Sequence, residues 1–200
     1  MGVMREHTKK RSSYQVLVIA GVSGSGKTQL IEELRQPPHD EFILKVLKKL
    51  GRNPNQHLKR STLKRTNRLI DRGNLDRRKT RKSKNKLVLF INLTSIHHKR
   101  NLKLLHQISE HAKRLDVITL YTSPQEWRQG ILLRLHTDNE PSMRAAVIAL
   151  SAKLSNKIST FLYHREYKKW CGELQALNIN KSTTINTFNK TISSPANPLF

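Results

Sequence analysis

Apolar residues fall into two kinds of run along this chain. Three runs are short and continuous: Val16-Leu17-Val18-Ile19-Ala20, Leu87-Val88-Leu89-Phe90-Ile91 and Val117-Ile118-Thr119-Leu120-Tyr121. Runs of this length and β-branched content suit strands covered on both faces. Elsewhere apolar positions recur every three or four residues, the spacing of one helix face. Leu30, Ile31 and Leu34 form one such stripe, and Leu102, Leu105, Ile108, Ala112 and Leu115 another. Met143, Val147, Leu150, Leu154 and Ile158 follow, then Tyr163, Tyr167, Trp170, Leu174 and Leu177, which reads as core packing rather than a platform for bases. The alternation of strand and helix predicts an α/β domain over residues 14–177, with a parallel sheet, right-handed crossovers and helices on both faces.

Local punctuation agrees with this division. Pro37-Pro38 must end the first helix, and Gly51 closes the segment 41–50, whose Phe42, Ile43, Val46, Leu47 and Leu50 have helical spacing but enough β-branching to leave a strand open. Ser123-Pro124-Gln125-Glu126 has the form of a helix start: an N-cap serine, proline in the first turn, and a glutamate three residues on to complete a capping box. The ends are polar. Residues 1–13 read as a disordered basic arm, and 178–200, rich in Asn, Thr, Ser and Lys with Pro195 and Pro198, as a disordered tail.

Composition adds a partner class. The chain has 200 residues, enough for one core without disulfides, and one cysteine, Cys171. Its 38 Lys and Arg against 14 Asp and Glu give a formal charge of +24. Such a surface attracts polyanions in a salt-dependent way. Lys59 to Lys86 concentrates it, ending in Arg77-Arg78-Lys79-Thr80-Arg81-Lys82-Ser83-Lys84. Leu58, Leu63, Leu69 and Ile70 can support one short helix there; the rest reads as an exposed basic excursion, either a patch for a polyanion such as nucleic acid or a solvated loop. No aromatic residue lies between Phe42 and Phe90, so contacts there would be to phosphates. No apolar stretch approaches the roughly 20 residues of a membrane span, and no secretory signal is visible, so a cytoplasmic location is expected.

The strongest chemical signal lies between the first strand and the first helix. Gly21-Val22-Ser23-Gly24-Ser25-Gly26-Lys27-Thr28 fits G-x-x-x-x-G-K-[ST] in the strand–loop–helix setting that pattern requires. Glycines permit positive φ, so that successive N–H groups turn inward on phosphate oxygens. Lys27 adds a positive charge for the β- and γ-phosphates, and Thr28 a hydroxyl for Mg²⁺ at a helix N-terminus that favours anions. On these residues the chain resembles the P-loop NTPase superfamily, which implies a three-layer fold with the nucleotide, ATP or GTP, at the carboxyl ends of the strands. Where that fold usually carries an acid for Mg²⁺, at the end of the second apolar run, this chain has Asn92, a weaker partner for a hard cation.

The segment Thr122-Ser123-Pro124-Gln125-Glu126, followed by a helix bearing Arg128 and Arg134, looks like the strand–lid unit of small P-loop kinases of the nucleoside, gluconate and shikimate type. That resemblance implies that the two arginines close over the phosphates and stabilise the migrating group, as guanidinium forks suit its oxygens. It also implies phosphoryl transfer to a small or polyanionic acceptor. P-loop sulfotransferases share the architecture, and Asn92 with the basic excursion also suits a low-turnover nucleotide-binding protein that works with nucleic acid. The motif supplies no general base; Asp40 is the nearest candidate in sequence.

Overall fold

Along the first strand, alternate side chains are buried in two separate cores. The computed structural model describes residues 14–22, 24–75, 86–93, 98–129 and 156–193. Strand β1 spans Gln15–Gly21; its Leu17 and Ile19 face one core and its Val16, Val18 and Ala20 the other. A strand buried on both sides must be covered by two layers, and the helices supply them. Helices α1 (Lys27–Arg35) and α2 (Glu41–Leu50) bring Leu30, Ile31, Leu34, Val46 and Leu47 onto the first face. Helices α3 (Leu63–Leu75), α4 (His98–His111) and α5 (Asn156–Gln175) bring Ile70, Leu105, Ile108, Tyr167 and Trp170 onto the second. The expected α/β class with helices on both faces is therefore observed.

The remaining strands are β2 (Lys59–Ser61), β3 (Lys86–Asn92), β4 (Arg114–Leu120), β5 (Lys181–Asn186) and β6 (Thr191–Ser193). They form one sheet in the order β2-β3-β1-β4-β5-β6, parallel except for the last pair. The chain reaches β3 on one side of β1 and then crosses to β4 on the other. A crevice opens at such a reversal, beyond the carboxyl ends of the strands. Among the described residues no helix is long and apolar enough to cross a membrane.

The helical spacing of 41–50 is borne out, and two other expectations need revision. Segment 41–50 is a helix: Asp40 caps it, with Oδ1 accepting from the Ile43 N–H at 2.8 Å, and Gly51 ends it at φ 61°. The basic segment is less exposed than expected, since Lys59–Ser61 is an edge strand and α3 turns Leu63, Thr66 and Ile70 inward; residues 76–85 lie outside the described residues. The expected disordered tail fails over 181–193, where β5 and β6 complete the sheet. Its polar composition concealed a strand pattern: Thr183 and Ile185 are buried while Ser182 and Thr184 are half-buried, and β-branched threonines fit a pleated surface. The arm 1–13, the Met143, Val147, Leu150 and Leu154 positions of the third helical stripe, and 194–200 lie outside the described residues.

The amino end of the sheet is locked by a buried ion cluster. Asp116 on β4, wholly buried, takes Arg52 Nε at 2.6 Å and Arg114 Nε at 2.8 Å. Arg52 Nη2 also donates to the Val16 carbonyl at 3.0 Å, and Arg114 donates to the Leu50 and Gly51 carbonyls that end α2. The cluster ties α2 to β1 and β4 at the edge opposite the crevice. Leaving one member of such a buried set without its partner typically costs about 3–5 kcal/mol.

Candidate functional site

Gly21 ends β1 at the carboxyl edge, and its neighbours leave no room for a side chain: a Cβ there would lie 2.4 Å from Ser25 Oγ and 3.0 Å from Leu120 Cβ. The chain then folds back, with Ser25 N–H donating to the Val22 carbonyl at 3.3 Å. Gly24 and Gly26 adopt left-handed φ values of 87° and 82°, which L-residues with side chains rarely hold. Gly26 is the N-cap of α1 and supplies no side chain to satisfy the helix's first N–H groups. The anion-attracting end of the helix thus opens directly from the loop.

Lys27 is the first residue of α1. It is buried and donates Nζ to the carbonyls of Gly21 at 2.9 Å and Val22 at 2.5 Å, so its charge is held over the loop rather than in solvent. Ser25 is wholly buried, and its Oγ has no hydrogen-bond partner among the described residues. An unsatisfied hydroxyl in a buried loop costs about 1–3 kcal/mol, which a bound acceptor would recover. Thr28, one residue into the helix, is exposed. Ser23 lies outside the described residues.

A turn that sequence reasoning missed walls the loop. It covers residues 187–190, between β5 and β6. Thr187 Oγ1 donates to the Ser25 carbonyl at 3.3 Å and would lie 3.2 Å from a Cβ at Gly26. Asn186 Oδ1 accepts from Phe188 N–H at 2.9 Å, while its Nδ2 donates to Glu126 Oε2 at 3.2 Å. At the far side of the turn, Lys190 Nζ lies 2.7 Å from Asp40 Oδ2. The turn is therefore fixed to the glycine loop, to the helix that follows β4 and to the start of α2. The signals were the Thr183–Ile185 alternation and an Asn-rich turn, Asn186-Thr187-Phe188-Asn189, hidden in a polar composition.

The expected capping box is observed. Ser123 N–H donates to Glu126 Oε2 at 2.9 Å and Glu126 N–H donates to Ser123 Oγ at 3.2 Å, opening helical residues 124–129. Burial pushes the Glu126 carboxyl up, but its bonds from Ser123 and Asn186 outweigh burial and hold it below the usual range. Glu126 stays ionised and anchors two elements at once. Arg128 lies half-buried on the same helix, at the carboxyl edge of the sheet; Arg134 lies outside the described residues. Asn92 stands beside Gly21 in the β1–β3 register, where the Leu93 N–H donates to the Gly21 carbonyl at 3.2 Å. Its side chain lies outside the described residues. Asp40 is committed as cap and ion-pair partner, and Lys190, then the Ile43 N–H, hold its carboxyl below the usual range.

Behind the loop, α5 presents polar tips to β4. Tyr163 OH donates to the Thr122 carbonyl and accepts the Thr122 N–H at 3.0 Å; Tyr167 OH donates to the Leu120 carbonyl, and Trp170 Nε1 to Thr119 Oγ1 at 3.0 Å. Tyr121 packs edge-on against Tyr163 and Tyr167 at 6.0 and 5.2 Å. These aromatic residues hold the end of β4 in place, the core role expected of their stripe. Cys171 is free and half-buried, and burial pushes its thiol up, against a nucleophilic role. Comparison of the chain with protein-family models and with curated protein sequences gives no match.

Proposed function

We propose that residues 21–28 bind the phosphates of a nucleoside triphosphate, ATP or GTP, and that the protein transfers the γ-phosphoryl group to a small or polyanionic acceptor in the manner of P-loop kinases. The observation that carries this reading is the pair of left-handed glycines, Gly24 and Gly26, feeding an α1 N-terminus that has no side-chain cap, at the carboxyl end of a central parallel strand. The orphaned Ser25 hydroxyl and the inward Lys27 ammonium suit the same ligand.

In this reading, phosphate oxygens replace the Gly21 and Val22 carbonyls as acceptors for Lys27. Thr28 and Asn92 are the residues that would hold Mg²⁺, which supplies charge neutralisation between the β- and γ-phosphates. Arg128, with Arg134, stabilises charge on the equatorial oxygens of the transferring group. The acceptor oxygen bonds to the γ-phosphorus, the bond to the β–γ bridging oxygen breaks, a nucleoside diphosphate leaves, and the acceptor's proton passes to solvent. The turn at 187–190 keeps the loop in its binding shape.

Calorimetric titration with Mg-ATP, Mg-GTP and 3′-phosphoadenosine 5′-phosphosulfate tests this directly. One triphosphate is expected to saturate the protein, and Lys27→Ala to weaken it about 10–100-fold, the value of a charged hydrogen bond. Binding of the sulfate donor in preference would turn the reading toward sulfonyl transfer. Binding of none of the three to folded protein would overturn it.

A further inference from the structure

The exposed side of β2 and α3 carries charge that the fold itself does not need. Lys59, Arg60, Lys64, Arg65 and Arg68 are all exposed, and no acid occurs from 59 to 70. Arg60 approaches Glu32 at 3.9 Å. Lys59, Lys64, Arg65 and Arg68 have no carboxylate partner among the residues whose side chains are described, a set that does not include Asp71. The buried face of α3 is built by Leu63, Thr66 and Ile70, and the cations lie outside it.

Their placement works against helix stability. Lys64 and Arg65 stand in the first turn of α3, which has no acid, where the helix dipole disfavours positive charge. Lys64 and Arg68 are four residues apart, a repulsive pair on one helix face. Helix α2 shows the opposite arrangement: Lys45 pairs with Glu41 at 2.7 Å, and Lys48 and Lys49 occupy the last turn, where the dipole favours them. The α2 lysines have a folding role. Lys64 and Arg65, in the first turn of α3, stand where the dipole opposes them and have no described partner, and residues that break a local rule without an evident gain point to a ligand.

We infer that the β2–α3 face docks the phosphate backbone of a nucleic acid strand. Among the described residues the exposed large apolar side chains, Leu44, Phe161 and Phe188, lie on other elements, so the described part of the face offers no apolar anchor of the kind protein interfaces need. A surface whose described exposed residues are mainly cations, with no exposed large apolar or aromatic side chain among them, matches a regular line of phosphates and reads no base. This inference stands apart from nucleotide binding at residues 21–28.

Fluorescence anisotropy with a labelled 20-nucleotide RNA tests it, over salt from 50 to 300 mM. Changing Lys59, Lys64, Arg65 and Arg68 to Gln together is expected to weaken binding at least about 10-fold and to flatten the plot of log K against log salt by up to about 3, near 0.7 per lost contact. The α2 control, Lys45, Lys48 and Lys49 to Gln, is expected to change affinity less than about 3-fold. A second variant, K64E/R65E, places acids in the first turn and is expected to raise Tm by about 1–4 °C while reducing RNA affinity still further. RNA binding unchanged in either α3 variant would overturn the inference. So would equal losses per charge in the α2 control, or polyglutamate competing as well as RNA of equal charge. Mg-ATP titration of the same variants separates this result from the fate of the nucleotide reading.

Discussion

Two glycines with opposite surroundings show what single residues contribute. Gly26 sits at φ 82° with Thr187 Oγ1 3.2 Å from where a Cβ would be, whereas Gly172 lies inside α5 with nothing within 4 Å. A side chain at Gly26 must hold a strained backbone and push the turn, at about 1–2 kcal/mol for the conformation alone. A methyl at Gly172 meets nothing and removes backbone entropy from the unfolded chain. We expect Gly26→Ala to lower stability by about 1–3 kcal/mol and Gly172→Ala to raise it by about 0.5–1 kcal/mol, both read from urea denaturation. A neutral Gly26→Ala would show that the loop does not need its left-handed N-cap.

At the scale of elements, Glu126 joins two segments that the chain keeps far apart. Its Oε2 accepts from the N–H of Ser123, the N-cap of its own helix, and from Asn186 of β5, and Asn186 precedes the threonine that contacts the loop. Glu126→Gln keeps the shape but weakens both bonds. It is expected to cost about 1 kcal/mol and to speed hydrogen exchange at Phe188, whose N–H bonds to Asn186. Exchange unchanged at Phe188 would mean that the turn is held by Thr187 and Lys190 alone. The capping box itself was legible, because its residues are four neighbours in sequence. So were β1, β3, β4 and the α5 stripe, whose periodicity is strong and local. The wall of the site was not legible: Asn186 and Thr187 lie in a polar stretch whose strand character depends on pairing with β4, a contact no local pattern encodes. The short edge strand β2 escaped for the same reason, since Lys59 and Arg60 are exposed there and only Ser61 is buried.

For the whole molecule, the tyrosines of α5 set an alkaline limit. Burial raises the hydroxyls of both Tyr163 and Tyr167, Tyr167 well above the ordinary value of 10.0. A raised value means that the folded protein keeps a proton the unfolded chain releases. The resulting stability is fully present below about pH 10 and is lost as the pH climbs toward the folded values. Melting temperatures between pH 8 and 11.5 are expected to fall steeply above pH 10. In Tyr163→Phe/Tyr167→Phe the plateau should lie lower, by about 1 kcal/mol for each lost hydrogen bond, with a shallower alkaline slope. Equal slopes in the two proteins would assign the alkaline loss to other groups.

The contact between Thr187 and Ser25 spans 162 positions of the chain. During synthesis at roughly 5–20 residues per second, the glycine loop is added to the chain roughly 8–32 s before the threonine that braces it. Until then β4 lacks its outer neighbour and the loop lacks its wall. A nascent chain therefore acquires a finished loop only once Thr187 has been added, and a message cut short before the codon for Thr187 yields a protein that has the whole glycine motif without the turn that shapes it.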